Sequence, residues 1–289
     1  SEMCIRDSMD KEDSNRKALY IQEYIEQKGG KCHILENRRV ISEGILHYTD
    51  ADKIPEETEC VLVLGGDGTM IQAAIDLVHS RLPILGINMG TMGFLTEVEQ
   101  QNLERALDMM LADQYMIENR IMLRESSPQA EKGKGKASYA LNDVVVSKRG
   151  DCRLITIKVY INEELADIYR ADGLIISTPT GSTGYNLSAG GPVMVPDTEA
   201  TVITPICAHS LNKRSLVVSA RDKITLELGQ TKEFQEDTAV LAVDGRTVRG
   251  LATGERLDIC VPEDQTRIVK LSGVCLLYTS PSPRDMRRS

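Results

Sequence analysis

The residues best equipped for chemistry are Gly65-Gly66-Asp67-Gly68-Thr69, at the end of the apolar run Val61–Leu64. Glycine has no Cβ, so the backbone of such a turn can approach a ligand closely. The amides of the turn, and the free N–H groups that open the helical segment expected from Met70 to His79, make a phosphate site. Gly65, Gly66, Gly68 and Thr69 are therefore the expected phosphate-binding residues. Asp67 is out of place there, because a carboxylate repels phosphate unless it meets a metal ion or accepts a proton. The pair of features points to phosphoryl transfer. No Gly-Lys-Ser/Thr follows, as a Walker A loop requires, and the third glycine of a dinucleotide fingerprint is missing.

Two further stretches of the same character follow. Gly86-Ile87-Asn88-Met89-Gly90-Thr91-Met92-Gly93-Phe94 places three glycines at and just after the end of the strand candidate Ile84–Ile87. Phe94, one of only 2 phenylalanines, could cover a base, although an aromatic in such a place more often packs in a core. From Ser177 to Pro192 the chain is dense in Ser, Thr and Gly. A core has little use for such a run, and it offers donors and acceptors to sugar hydroxyls, phosphates and a base edge.

The elements expected to carry these loops change character along the chain. An amphipathic helix over Ala18–Lys28, stopped by Gly29-Gly30, precedes short strands at Cys32–Leu35, Val61–Leu64 and Ile84–Ile87, and a second amphipathic helix spans Asn102–Ala112. Alternating strands and helices predict a parallel, Rossmann-like sheet over residues 9–115. After Tyr115, strand-like runs succeed one another, among them Tyr139–Ser147, Leu154–Ile161, Ile224–Leu228 and Ile268–Leu271. They predict an all-β, sandwich-like domain over 116–273. The polar, basic stretch Ser126–Lys136 reads as a solvated hairpin loop.

Composition excludes several classes. A net charge of −9 and the absence of Trp argue against a nucleic-acid binder with a base-stacking platform. No apolar run reaches 18 residues, so no membrane span is expected. The 7 cysteines lack a C-x-x-C pair and the 4 histidines lack metal-ligand spacing. They predict free thiols in a reducing cytoplasm and no metal site built from side chains.

Taken in order, the motifs resemble those of the bacterial NAD kinases: GGDGT at 65–69, GINMGTMGFLTE at 86–97, LND at 141–143, DGLIISTPTGSTGY at 172–185, SAGGP at 188–192, and Val243-Asp244-Gly245. The resemblance implies an α/β domain, a β-rich domain and a site between them. It implies transfer of a phosphoryl group from ATP, in some members polyphosphate, to the 2′-hydroxyl of the adenosine ribose of NAD. Mg²⁺ would accompany the donor. Asp67 would be the proton acceptor, with Gly68 beside it. Asn142, Asp143, Arg170, Asp172, Thr183, Gly184, Tyr185, Asn186, Leu187 and Ser188 would hold NAD, with Phe94, Arg153, Cys207 and Arg246 at further contacts. A homodimer or homotetramer is implied as well. The chemistry of the residues agrees. A carboxylate in hydrogen-bond reach of an alcohol gives its proton somewhere to go, and the rest of phosphoryl transfer is positioning and charge neutralisation.

GGDGT alone is shared with diacylglycerol-kinase-like lipid kinases and phosphofructokinases, so a lipid kinase is the second reading. A truncated chain that binds nucleotide without turnover is the third. Asp143 stands where the family usually has Glu, and Gly184 where it usually has Ala. Residues 1–8 and 274–289 carry no helix or strand period and read as foreign ends, which would leave the first sheet without its N-terminal strand.

Overall fold

The computed structural model describes residues 2–6, 12–35, 40–42, 45–47, 51–90, 93–126, 138–150, 154–209, 214–230 and 238–271. Two compact units emerge. One holds the described residues up to Glu118 and from Arg267 on; the other holds Asn119–Thr266, and the segment Ile41–Leu46 groups with it.

The first unit is built on a six-stranded sheet in the order Lys31–Ile34, Glu2–Arg6, Cys60–Gly65, Ile84–Asn88, Thr266–Lys270, Met116–Arg120. The pairings from Lys31–Ile34 through Thr266–Lys270 are parallel. Cys60–Gly65 and Ile84–Asn88 are buried along their whole length, as strands of a parallel sheet covered on both faces must be. The helices Glu12–Gln27 and Leu103–Leu111 add Ala18, Ile21, Ile25, Leu103, Leu107 and Met110 to one buried cluster with Leu62, Leu64, Leu85 and Ile87.

Glu2–Arg6 corrects the sequence reading, which found no period there and expected the sheet to lack this strand. All five residues are buried. A strand covered on both faces shows no alternation, so periodicity passes over it. Its polar ends are paired. Glu2 meets Lys31 at 3.3 Å and His33 at 3.1 Å, and Arg6 donates to the Thr69 carbonyl at 2.8 Å and lies 3.4 Å from Asp76. The expected foreign C-terminal end, 274–289, lies outside the described residues, as does 127–136 of the basic stretch.

The second unit is a sandwich of two antiparallel six-stranded sheets. One runs Leu216–Ser219, Ala200–Ile206, Gly173–Ser177, Asp143–Lys148, Thr238–Val243, Arg246–Ala252; the other runs Glu164–Ala171, Ile155–Ile161, Ile224–Leu228, Arg256–Cys260, Leu123–Ser126, Ser138–Ala140. Val144, Val146, Leu174, Ile176 and Leu241 of one share a buried cluster with Ile155, Ile157, Val159, Leu226 and Ile259 of the other, the interdigitated core of a sandwich.

Two differences from the expected elements matter for the site. Tyr139–Ser147, expected as one strand, is two strands in different sheets, broken at Leu141-Asn142. Ile268–Leu271, expected in the β domain, belongs to a strand that returns to the first sheet.

The N-terminal strand provides a direct test. Ile5 has no exposed surface and lies in register with Ile34 on one side and Leu62 on the other. Ile5→Ala should cost about 2–5 kcal/mol, read as a lowered urea midpoint at unchanged slope. A tail outside the sheet would leave the midpoint where it is.

Candidate active site

In the first unit the chemistry gathers where Cys60–Gly65 turns into the helix Asp67–Asp76. The helix starts three residues earlier than the sequence pattern suggested, so Asp67 is its first residue. There a negative charge is favoured by the helix dipole. Gly66 is the N-cap and no side chain caps the helix, leaving first-turn amides for a ligand. The turn is tightly closed. A Cβ on Gly65 would overlap the Thr69 side chain, while Gly66 and Gly68 face open space.

The Asp67 carboxylate is already held. One oxygen accepts the Phe94 amide at 2.8 Å and the other accepts the Leu95 amide at 3.0 Å. Gly93 lies against the same carboxylate so closely that any Cβ there would overlap it. The second glycine stretch is thus a seat for Asp67, and Gly93 is a residue that sequence reasoning quoted without assigning. Phe94 does not join the core: its ring is 46% exposed, and its amide is what fixes the carboxylate.

In the second unit, three segments meet at one end of one sheet, at Asp143, Ser177 and Val243. Asp143 pairs with Ser177, and Val144 with Val243. The turn 141–143 is fastened from both sides. Thr178 donates from Oγ1 to the Leu141 carbonyl at 2.6 Å and from its amide to the Asn142 carbonyl at 2.9 Å. Gly181 sits so close to Asn142 that a Cβ would overlap its backbone. Asp143 is buried. Burial first, and then the neighbouring Asp244 carboxylate, push its pKa from 3.8 to about 7.

The run from Ser177 to Pro192 divides into two roles. Ser177, Thr178, Ser182 and Asn186 are fully buried. Ser182 donates to the Pro179 carbonyl at 2.6 Å. Asn186 donates to the carbonyls of Ser182 and Pro192 at 3.1 and 2.9 Å and accepts from Thr204 at 2.7 Å. These hydroxyl and amide groups are internal struts, contrary to the expectation that a core has no use for them. Gly184, Tyr185, Leu187 and Ser188 are exposed, and Thr183 is half-buried.

The remaining expected residues are scattered around this unit. Asp172 is half-buried and bonded to Lys148 at 2.7 Å. Arg170 is exposed, and its carbonyl accepts the His209 amide at 2.9 Å. Cys207 is exposed with φ at +48°. Arg246 is half-buried next to the Asp244-Gly245 turn, and Arg153 lies outside the described residues. Among the described residues no group of three or more His, Cys, Asp or Glu side chains could hold a metal ion, and no helix is long and apolar enough to cross a membrane.

This arrangement of motifs is matched by two family models: the ATP-NAD kinase N-terminal domain over residues 1–115 and the ATP-NAD kinase C-terminal domain over residues 141–271. The chain belongs to the NAD kinase family. Among its relatives, the NAD kinase of Lachnoclostridium phytofermentans is 41% identical over 273 residues, covering 93% of this chain and 94% of the relative. The NAD kinase of Agathobacter rectalis is 41% identical over 249 residues, 86% of each. In fold, the chain is similar to yeast NADH kinase solved with NADH, with a TM-score of 0.80, 22% identity and coverage of 100% of this chain and 89% of that one. It is also similar to an Archaeoglobus fulgidus NAD kinase solved with ATP, with a TM-score of 0.72, 23% identity and 97% coverage of both chains.

The state of Asp143 has a consequence for stability. With its folded pKa raised, the native state binds more protons than the unfolded chain between about pH 4 and about pH 7, so stability falls as pH rises through that window. Asp143→Asn removes this slope. The variant should gain on the wild type from pH 4 to pH 8 by on the order of a few kcal/mol, measured as the difference between their urea midpoints at each pH. Parallel pH profiles would show that Asp143 titrates normally.

Proposed function

We propose that the protein is an NAD kinase whose catalytic base is Asp67, transferring the terminal phosphoryl group of ATP to the 2′-hydroxyl of the adenosine ribose of NAD to give NADP. The observation that carries the assignment of the base is the placement of its carboxylate: at the first position of the helix that follows a glycine turn, fixed by two amides. An ionised carboxylate has about four lone-pair sites, so two remain for a substrate hydroxyl. Asp67 accepts the 2′-hydroxyl proton as the ribose oxygen bonds to the terminal phosphorus; the bond from that phosphorus to the leaving ADP oxygen breaks. The uncapped amides at the start of the helix stabilise phosphate charge. A carboxylate of this kind contributes on the order of 10²–10⁴-fold.

Binding of NAD is assigned to Asn142, Asp143, Arg170, Asp172, Thr183–Ser188 and Phe94, with Arg153, Cys207 and Arg246 at outer contacts. Of the run Thr183–Ser188, the exposed members are those available to a ligand, and Asn186 acts by holding the loop in shape. Mg²⁺ enters as part of the Mg-ATP substrate. The relatives named NAD kinase and the similar folds solved with NADH and with ATP support the reading. The proposal extends to a cytoplasmic homodimer or homotetramer. Nothing in the site favours a lipid acceptor.

NADP formation from NAD and Mg-ATP tests the activity, with polyphosphate in a parallel assay to identify the donor. Asp67→Asn should abolish turnover while leaving the NAD dissociation constant within about threefold of wild type. Retained turnover would remove Asp67 from its role. Gly93→Ala should lower kcat about 100-fold or more by displacing the carboxylate from its seat, with Asp67 still in the chain. A Gly93→Ala enzyme with wild-type kcat would show that the seat is dispensable.

A further inference from the structure

The Asp244 carboxylate lies beyond the strand Thr238–Val243, alongside the turn Leu141–Asp143. One of its oxygens accepts the Leu141 amide at 2.8 Å; the other accepts the amides of Asn142 at 2.8 Å and Asp143 at 3.0 Å. In return its own amide donates to the Asp143 carbonyl at 3.0 Å. Three successive amides converging on one side chain form an anion-binding nest, here filled from within the chain. Asp244-Gly245 is the two-residue turn between Thr238–Val243 and Arg246–Ala252, with φ +46° and +74°, the left-handed pair that a tight hairpin requires. On the other side, Thr178 and Ser177 occupy the carbonyls of Leu141 and Asn142.

The backbone of this turn is thereby saturated, while the Asn142 side chain makes no hydrogen bond within the chain among the described residues. The hairpin turn fixes the Asp244 backbone by itself, so the three bonds of its carboxylate to the turn 141–143 are additional to what the hairpin needs. The constraint falls on the backbone of Asn142, whose side chain is left for a ligand, and of Asp143, whose carboxyl is buried beside Asp244. Burial pushes the Asp244 carboxyl above its ordinary range, against the pull of the three amides and of Arg246.

We propose that Asp244 is a positioning residue for NAD: without touching the substrate, it presents Asn142 and Asp143 by locking the backbone between them. The proposal rests on the assignment of those two residues to NAD binding. Its effect is on affinity. The role differs from that of Asp67, whose loss removes chemistry and leaves binding.

The test is calorimetric titration of NAD into wild type and Asp244→Asn, with kcat and KM for NAD measured alongside. An amide in place of the carboxylate keeps one acceptor oxygen and turns the other into a donor facing N–H groups. The NAD dissociation constant and KM should rise about tenfold or more while kcat falls by no more than about threefold, in a variant that still melts cooperatively. An unchanged dissociation constant in a folded variant overturns the proposal, as does a loss confined to kcat. If Asp244→Asn does not fold, amide hydrogen exchange on the wild type decides. Protection of Leu141, Asn142 and Asp143 well beyond that of the exposed hairpin residue Glu163 supports the lock, and exchange at the Glu163 rate overturns it. A wild-type protein that neither binds NAD nor forms NADP would refute the functional reading instead, and the exchange experiment would still judge the lock.

Discussion

The loops at both candidate sites depend on one constraint: a loop leaving the end of a strand exposes amides that the sheet no longer satisfies, and each must find an acceptor. In this protein the acceptors are carboxylates. Asp67 takes the amides of Phe94 and Leu95, and Asp244 takes those of Leu141, Asn142 and Asp143. Charge-assisted bonds of this sort contribute about 1.5–3 kcal/mol each, enough to fix a loop against its own entropy. The glycines follow from the same demand. Gly93 and Gly181 are bare because a carboxylate in one case and a backbone in the other occupy the space where a Cβ would stand. At these two positions the small residue is thus a consequence of close approach within the chain, before any ligand is considered, whereas Gly66 and Gly68 face open space.

The two units achieve rigidity at these strand ends by different means. The first surrounds Cys60–Gly65 and Ile84–Asn88 with apolar side chains on both faces, so the turn at Gly65–Gly66 is anchored by burial. The second also buries Gly173–Ser177 and nearly all of Ala200–Ile206, and supplements this with polar struts. Ser182 and Asn186 tie the loop 179–194 to itself and to the strand Ala200–Ile206. A hydroxyl-rich segment with its donors directed inwards is ordered enough to present its few outward groups.

How much of this was legible in the sequence varies with the physical signal. Asp67 stood out because a carboxylate among phosphate-binding glycines demands a chemical reason. The strands Ile155–Ile161 and Ile224–Leu228 were legible because alternation survives where one face is buried. Glu164–Ala171 was not, since this edge strand exposes Leu165 and Ile168 and has no clean period. Asn142 and Asp143 were reached only through the family resemblance. The break between Ser138–Ala140 and Asp143–Lys148 falls inside an apolar run with no turn residue but Asn142 to announce it. The inward hydroxyls were misjudged because composition counts donors without revealing which way they point. Asp244 was quoted as part of a motif and passed over, because three bonds to a turn 101 to 103 residues away leave no local trace.

The return of the strand Thr266–Lys270 to the first sheet bears on how the protein is made. That strand fills the position between Ile84–Asn88 and Met116–Arg120, yet the whole of the second unit lies ahead of it in sequence. During synthesis, domains generally fold as units in the order they leave the ribosome. Here the earlier unit must wait, with an open slot beside Ile84–Asn88, until nearly the entire chain has been translated. The sandwich, whose strands are contiguous from Leu123 to Cys260, can close first. The unit that carries Asp67 is therefore completed last, and a ribosome-stalled chain ending before residue 266 would hold a finished sandwich and an unfinished parallel sheet, with the gap next to Ile84–Asn88 and one strand away from the Asp67 turn.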